Sequence, residues 1–182
     1  MLGSFHSSEA ISLATEAVSA SIVFIHGADG YDDDRPLTDS LGMPVMHPRM
    51  PDADDWTPAI AAAVSQAEPP LVLIGHSGGG YQLLCFLATE PDLPIASVHI
   101  IAAPFPGGDP DWTFDGFDLP DFPERMPYPV FLYASEDDES VPFAHRDLWA
   151  AKLPGSVTRT TVGGHQLNND LTLVADDISR GT

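Results

Sequence analysis

The sequence is short of cysteine, of lysine and of long apolar runs. Its one cysteine, Cys85, excludes a disulfide within the chain. Cys85 lies in an apolar stretch, where a buried small hydrophobe is the expected role rather than a reactive thiol. A reducing, cytoplasmic location fits that usage. No run of 18 apolar residues occurs, so no membrane-spanning helix is expected. Lys152 is the only lysine, and 7 basic residues face 27 acidic ones for a net charge of −20. Such a surface repels nucleic acid and anionic membranes, and neither is expected as a partner. It also slows anionic substrates unless salt screens it. Two readings fit the charge, adaptation to high salt or the bias of an acidic proteome, and neither speaks to chemistry. Residues 1–20 lack Lys and Arg and hold no continuous apolar block, unlike a secretory signal. They are expected to form an N-terminal arm, either poorly ordered or a surface helix.

With 182 residues and 43% hydrophobic content, the chain is sized for one domain with a real core, expected over residues 21–182. Its organising stretch is Leu71 to Tyr81. Leu71-Val72-Leu73-Ile74 reads as a buried strand. Gly75-His76-Ser77-Gly78-Gly79 follows directly, and Gly80 to Ala88 reads as a mostly buried helix. Strand, Gly-x-Ser-x-Gly turn and helix are the context that a serine raised on a sharp elbow requires. The glycines leave room where a side chain would meet the neighbouring strand and helix. The helix start presents backbone N–H groups to an anion formed beside Ser77.

The rest of the chain alternates strands with helices. Strands are expected at 21–25, 44–48, 95–102, 129–134 and 156–162, and helices at about 37–41, 54–64, 143–153 and 168–179. The proline-bracketed 44–48 strand suits an outer position in the sheet. Asp54 or Asp55 is the expected N-cap of the second helix, with Pro58 in its first turn. Tyr31 to Arg35 reads as an acidic, solvated loop. Ala103 to Pro127 reads as a long ordered loop with a helical turn or two. Its Trp112, Phe114, Phe117 and Phe122 either line a substrate pocket or pin the loop to the body. The alternation predicts a three-layer α/β/α sandwich with a mainly parallel sheet.

Three polar turns stand at the ends of three of these strands. They carry Ser77, the Asp137/Asp138 pair and His165, in the order Ser, Asp, His. A serine hydroxyl needs a histidine to take its proton, and a carboxylate to fix the imidazole tautomer. The turn His26-Gly27-Ala28 after the first strand offers the N–H of Ala28 as one oxyanion donor, with Gly78 as the other. His26 and His76 are expected to line the site without acting as the base. His6, His47, His99 and His145 read as structural or surface residues. No metal-ligand spacing, dinucleotide fingerprint or phosphate loop is present, and the chemistry needs no cofactor.

From about Ser21 onward the chain resembles the α/β-hydrolase superfamily. The resemblance rests on the Gly75–Gly79 elbow, the His26-Gly27 turn, Asp138-Glu139-Ser140-Val141-Pro142 and Gly164-His165. Small size, the lack of a full cap domain, Met50-Pro51 and Trp56 are similar to the compact serine hydrolases related to retinoblastoma-binding protein 9. The family pattern places its acid ahead of a Val-Pro pair with two residues between, which selects Asp138, with its neighbour Asp137 as the alternative. The resemblance implies a cap-less serine hydrolase acting on small or medium acyl esters or thioesters, without a cofactor and as a monomer or dimer. It leaves two alternatives: a protein-binding module on the same scaffold, or amide, lactone or C–C cleavage by the same triad. Substrate-lining roles are expected for His26, His76 and Trp112.

Overall fold

The computed structural model describes residues 20–90, 92–113 and 115–181. The N-terminal arm, save Ala20, and Phe114 lie outside the described residues. Six strands form one parallel sheet: β1 (Ser21–Ile25), β2 (Val45–Met46), β3 (Leu71–His76), β4 (Ile95–Ile101), β5 (Val130–Ser135) and β6 (Val157–Thr161), in the order β2-β1-β3-β4-β5-β6. Short two-residue β2 takes the edge, as the flanking prolines predict. The helices are α1 (Arg35–Asp39), α2 (Thr57–Val64), α3 (Gly78–Thr89), α4 (Ala144–Lys152) and α5 (Thr172–Gly181).

Strand side chains alternate between two apolar clusters, which makes three layers. Val23, Ile25, Leu71, Leu73, Val98, Ile100, Val130 and Leu132 pack with Ile60, Leu83, Leu84, Leu87 and Trp149 of α2, α3 and α4. Ile22, Phe24, Val72, Ile74, Ile101 and Tyr133 pack on the other face with Leu37, Val174 and Ile178 of α1 and α5. Both faces of β3 are covered, and all six of its residues are buried. Among the described residues, no helix is long and apolar enough to cross a membrane.

Several expected boundaries move, each for a local reason. Helix α1 begins at Arg35 instead of Leu37, because Pro36 is admitted in its first turn. Trp56, rather than Asp54 or Asp55, occupies the N-cap of α2, while the Asp55 carboxylate accepts the Thr57 N–H at 2.8 Å. The last helix starts at Thr172, not 168. Leu167, Asn168 and Asn169 all have positive φ, so the chain turns before it can coil.

The strand order reverses between β1 and β3, since the chain runs outward to β2 and then returns across β1. Parallel α/β sheets open a crevice at the carboxyl ends of strands at such a point. The loops after β1 and β3 therefore meet where a ligand can enter.

Candidate active site

Ser77 links β3 directly to α3 with φ 52 and ψ −127, a sparsely populated conformation for a residue with a side chain. Its N–H donates to Ile101 O at 2.8 Å, which ties the strained residue to β4. Two glycines make the turn possible. A Cβ on Gly75 would lie 2.7 Å from Gly80 Cα, and one on Gly79 would collide with the carbonyls of Ile25 and His26. The helix thus passes against the end of β1 with no room for a methyl group. On the same side, a Cβ on Gly27 would lie 3.2 Å from Ser77 Cβ, and one on Gly78 would lie 3.4 Å from Ala28 N. The loop after β1 consequently brings Ala28 beside the start of α3.

At the other end of this edge, His165 Nδ1 lies 2.9 Å from Asp138 Oδ2 and 3.1 Å from Oδ1. Asp138 Oδ1 also accepts the N–H groups of Ser140 and Val141, both at 2.8 Å. Burial pushes this carboxyl up, but the His165 ring and the Val141 and Ser140 N–H groups outweigh it and hold the pKa below its ordinary value. Asp137 points elsewhere. It accepts the N–H groups of Gly163 at 3.0 Å and Gly164 at 3.1 Å. Glu139 Oε2 accepts the His165 N–H at 3.2 Å. The whole acidic turn after β5 therefore grips the loop after β6, with one carboxylate on the ring and two on the backbone.

The described histidines separate by their partners. His26 is buried; its Nδ1 donates to Gly27 O at 2.6 Å and its Nε2 accepts the Met50 N–H at 2.9 Å. It holds the loop after β1 against Met50 and forms part of a cleft of about 460 Å³ with Ala28, Tyr31, Arg49 and Trp56. His76, expected on the wall of the site, is buried, with its ring nitrogens against Asp34 and the carbonyl oxygen of His165. His145 is buried and structural. Its Nδ1 accepts the Phe105 N–H at 2.8 Å and its Nε2 donates to Asp109 at 2.9 Å.

With His145, the Trp149 indole N–H, shared between Ala103 O and Pro104 O, and the Tyr81 hydroxyl, on Asp118 O at 2.9 Å, pin the long loop after β4. Phe117 is buried against Tyr81, and half-buried Phe122 packs edge-on against Trp149. These two aromatics fasten the loop. Trp112 instead borders a second cleft of about 590 Å³, together with Asp138, Glu139 and Pro142.

The largest correction concerns Tyr31 to Arg35. Asp32, Asp33 and Arg35 are exposed, but Asp34 is 0% exposed. Its Oδ2 accepts the Gly27 N–H at 2.8 Å and lies 2.9 Å from His76 Nδ1, and its Oδ1 accepts the Gln166 amide at 3.0 Å. Sequence reading missed Asp34 because it ends a run of three aspartates. Gln166, next to His165, was missed too.

A family model described as serine hydrolase matches residues 37–172. A search of curated proteins found no match. Solved structures share the fold. Est1E from Butyrivibrio proteoclasticus with bound ferulic acid is 18% identical, with 89% of this chain and 87% of that one covered and a TM-score of 0.66. A pyrethroid hydrolase from Sphingobium faniae JZ-2 is 18% identical over 88% and 96%, with a TM-score of 0.63. The type II thioesterase BorB from the borrelidin biosynthetic cluster is 16% identical over 90% and 91%, with a TM-score of 0.63. The parallel sheet, the strained serine between β3 and α3 and the matched span agree, and the chain belongs to the serine hydrolase family with an α/β-hydrolase fold.

Proposed function

We propose that this enzyme hydrolyses small or medium acyl esters through Ser77, His165 and Asp138. The observation that carries the reading is the 2.9 Å contact of His165 Nδ1 with a buried Asp138 carboxylate, at the carboxyl-end face of the sheet where Ser77 is held at φ 52. With Nδ1–H donated to Asp138, His165 Nε2 is left as the base. Ser77 Oγ attacks the acyl carbon as its proton passes to Nε2. The negative charge that develops on the carbonyl oxygen is met by the N–H groups of Gly78 and Ala28. Each such donor stabilises the transition state by roughly 3–4 kcal/mol. The C–O bond to the leaving alcohol then breaks, and the proton on Nε2 leaves with that alcohol. Water next gives a proton to Nε2 and attacks the acyl-enzyme. The acid departs and Ser77 recovers its proton, so ester and water yield acid and alcohol.

Ala28 lines the cleft of about 460 Å³ and Asp138 that of about 590 Å³, and the two suit an acyl group on one side and an alcohol on the other. A thioesterase and a pyrethroid hydrolase among proteins of this fold fit acyl cleavage. Ser77→Ala should lower turnover of p-nitrophenyl butyrate by about 10⁴- to 10⁶-fold with an unchanged circular dichroism spectrum. Turnover at the wild-type rate in that variant would contradict the assignment.

A further inference from the structure

Of the described histidines, His76 is distinguished by having both ring nitrogens against acceptors. Nδ1 lies 2.9 Å from the Asp34 carboxylate, and Nε2 lies 3.0 Å from the carbonyl oxygen of His165. A neutral imidazole has one N–H and one lone pair, so it satisfies only one of these contacts. The ring is 1% exposed, so a contact left without its proton would be an unsatisfied polar pair in the interior. Both contacts are made only when the ring carries two protons. We infer that His76 is an imidazolium paired with a carboxylate at Asp34, and that this buried pair is a positioning device for the catalytic base and the oxyanion loop. The inference rests on the function proposed above.

The three loops of the site converge on Asp34. Its carboxylate holds Gly27, the residue before the oxyanion donor Ala28, through the N–H at 2.8 Å. It holds His76, the residue before Ser77, and it holds Gln166, the residue after His165. His76 completes the circuit by donating to His165 O. The backbone of His165 is thereby fixed on both sides, with its N–H on Glu139 and its carbonyl on His76. The titratable groups facing His76 are Asp34 and the ring of His165, whose centroid lies 4.8 Å away. An unpaired cation at His76 would oppose the imidazolium that forms at His165 during turnover. Asp34 cancels that charge, so the ring can donate two hydrogen bonds without disfavouring the base. The direction of the Asp34 pKa agrees. Burial pushes it up, but the His76 hydrogen bond and charge, with Gly27 and Gln166, bring it down to about 2.

The test is ring ¹⁵N–¹H NMR of the histidine-labelled enzyme at neutral pH, with His76 assigned by loss of its signals in His76→Gln. Two ring N–H protons on His76 are expected, in wild type and in Ser77→Ala alike. A single ring N–H would overturn the ion pair whatever the enzyme hydrolyses. Alongside it, Asp34→Asn should lower kcat ten- to hundredfold while KM changes less than threefold, since a small displacement of base and oxyanion donor acts on the transition state. Wild-type kcat in folded Asp34→Asn would overturn the positioning role. Loss of activity in that variant with KM raised in proportion would also overturn it. The NMR measurement needs no folded Asp34 variant. It also separates failure of this inference from failure of the proposed hydrolysis, which Ser77→Ala reports.

Discussion

His76 ends β3 and His99 lies in the middle of β4, the neighbouring strand, and water reaches neither. His76 faces a carboxylate and a carbonyl. His99 faces two hydroxyls, Ser97 Oγ and Tyr133 OH, each at 2.9 Å. The Tyr133 hydroxyl donates to Asp177 at 3.0 Å, so it accepts from His99 Nδ1, and Nε2 then accepts from Ser97. Arg159 closes this second network on Asp177 with bonds of 2.9 and 2.8 Å. Burial, with only a small opposing pull from Asp177, drives the His99 pKa down to about 4, so the ring is neutral. Equal burial therefore yields opposite charge states, and the partners decide which. The charged pair lies at the carboxyl ends of the strands, beside Ser77 and His165. The neutral histidine lies between β4 and α5, where its work is to satisfy buried hydroxyls.

The comparison is broken most severely at the carboxylates. Asp138→Asn, which leaves His165 Nδ1 facing the wrong partner, should lower kcat on a p-nitrophenyl ester by about 10⁴-fold. Asp137→Asn, whose carboxylate holds only the Gly163 and Gly164 N–H groups, should cost far less, within about tenfold. Equal losses, or the reverse ranking, would move the acid to Asp137.

Acid should sharpen the contrast between the two histidines, in two separate windows. An unfolded His99 binds a proton near pH 6.5, and the folded one does so only near 4. Between those values the unfolded chain holds the extra proton, so stability falls as pH falls, by up to roughly 3 kcal/mol. Asp34 acts lower. Its contribution is present above its ordinary value of 3.8 and is lost as pH falls towards 2, by roughly 2 kcal/mol. Urea midpoints measured from pH 7 to 2.5 should show both losses. His99→Gln should flatten the upper window and leave kcat within about twofold. An unchanged slope in that variant, or a large loss of kcat, would erase the distinction between the two networks.

Much of the fold was legible because parallel strands covered on both faces leave continuous apolar runs, as Leu71 to Ile74 of β3 does. The elbow was legible because only glycine fits at 75 and 79. Less of the base and its support could be read. Asp137 and Asp138 are adjacent and chemically identical, and only the three-dimensional turn sends one to the ring and the other to the backbone. In sequence Asp34 reads as part of a solvated acidic loop, because nothing local separates it from Asp32 and Asp33. Its partners are 7, 42 and 132 residues distant in sequence. His76 was placed on the wall of the site for a related reason. It is next to Ser77 in sequence, but its ring is buried against Asp34 and the carbonyl oxygen of His165. The loop aromatics divided between two roles, since Phe117 and Phe122 meet buried aromatics on α3 and α4 while Trp112 meets a cleft.

Labelling the folded protein with a fluorophosphonate, followed by mass-spectrometric mapping, tests the central claim most directly. An activated serine at the elbow predicts one adduct, on Ser77, in low salt and in molar salt alike. No adduct in either condition, or an adduct on another residue with Ser77 unmodified, would contradict the account.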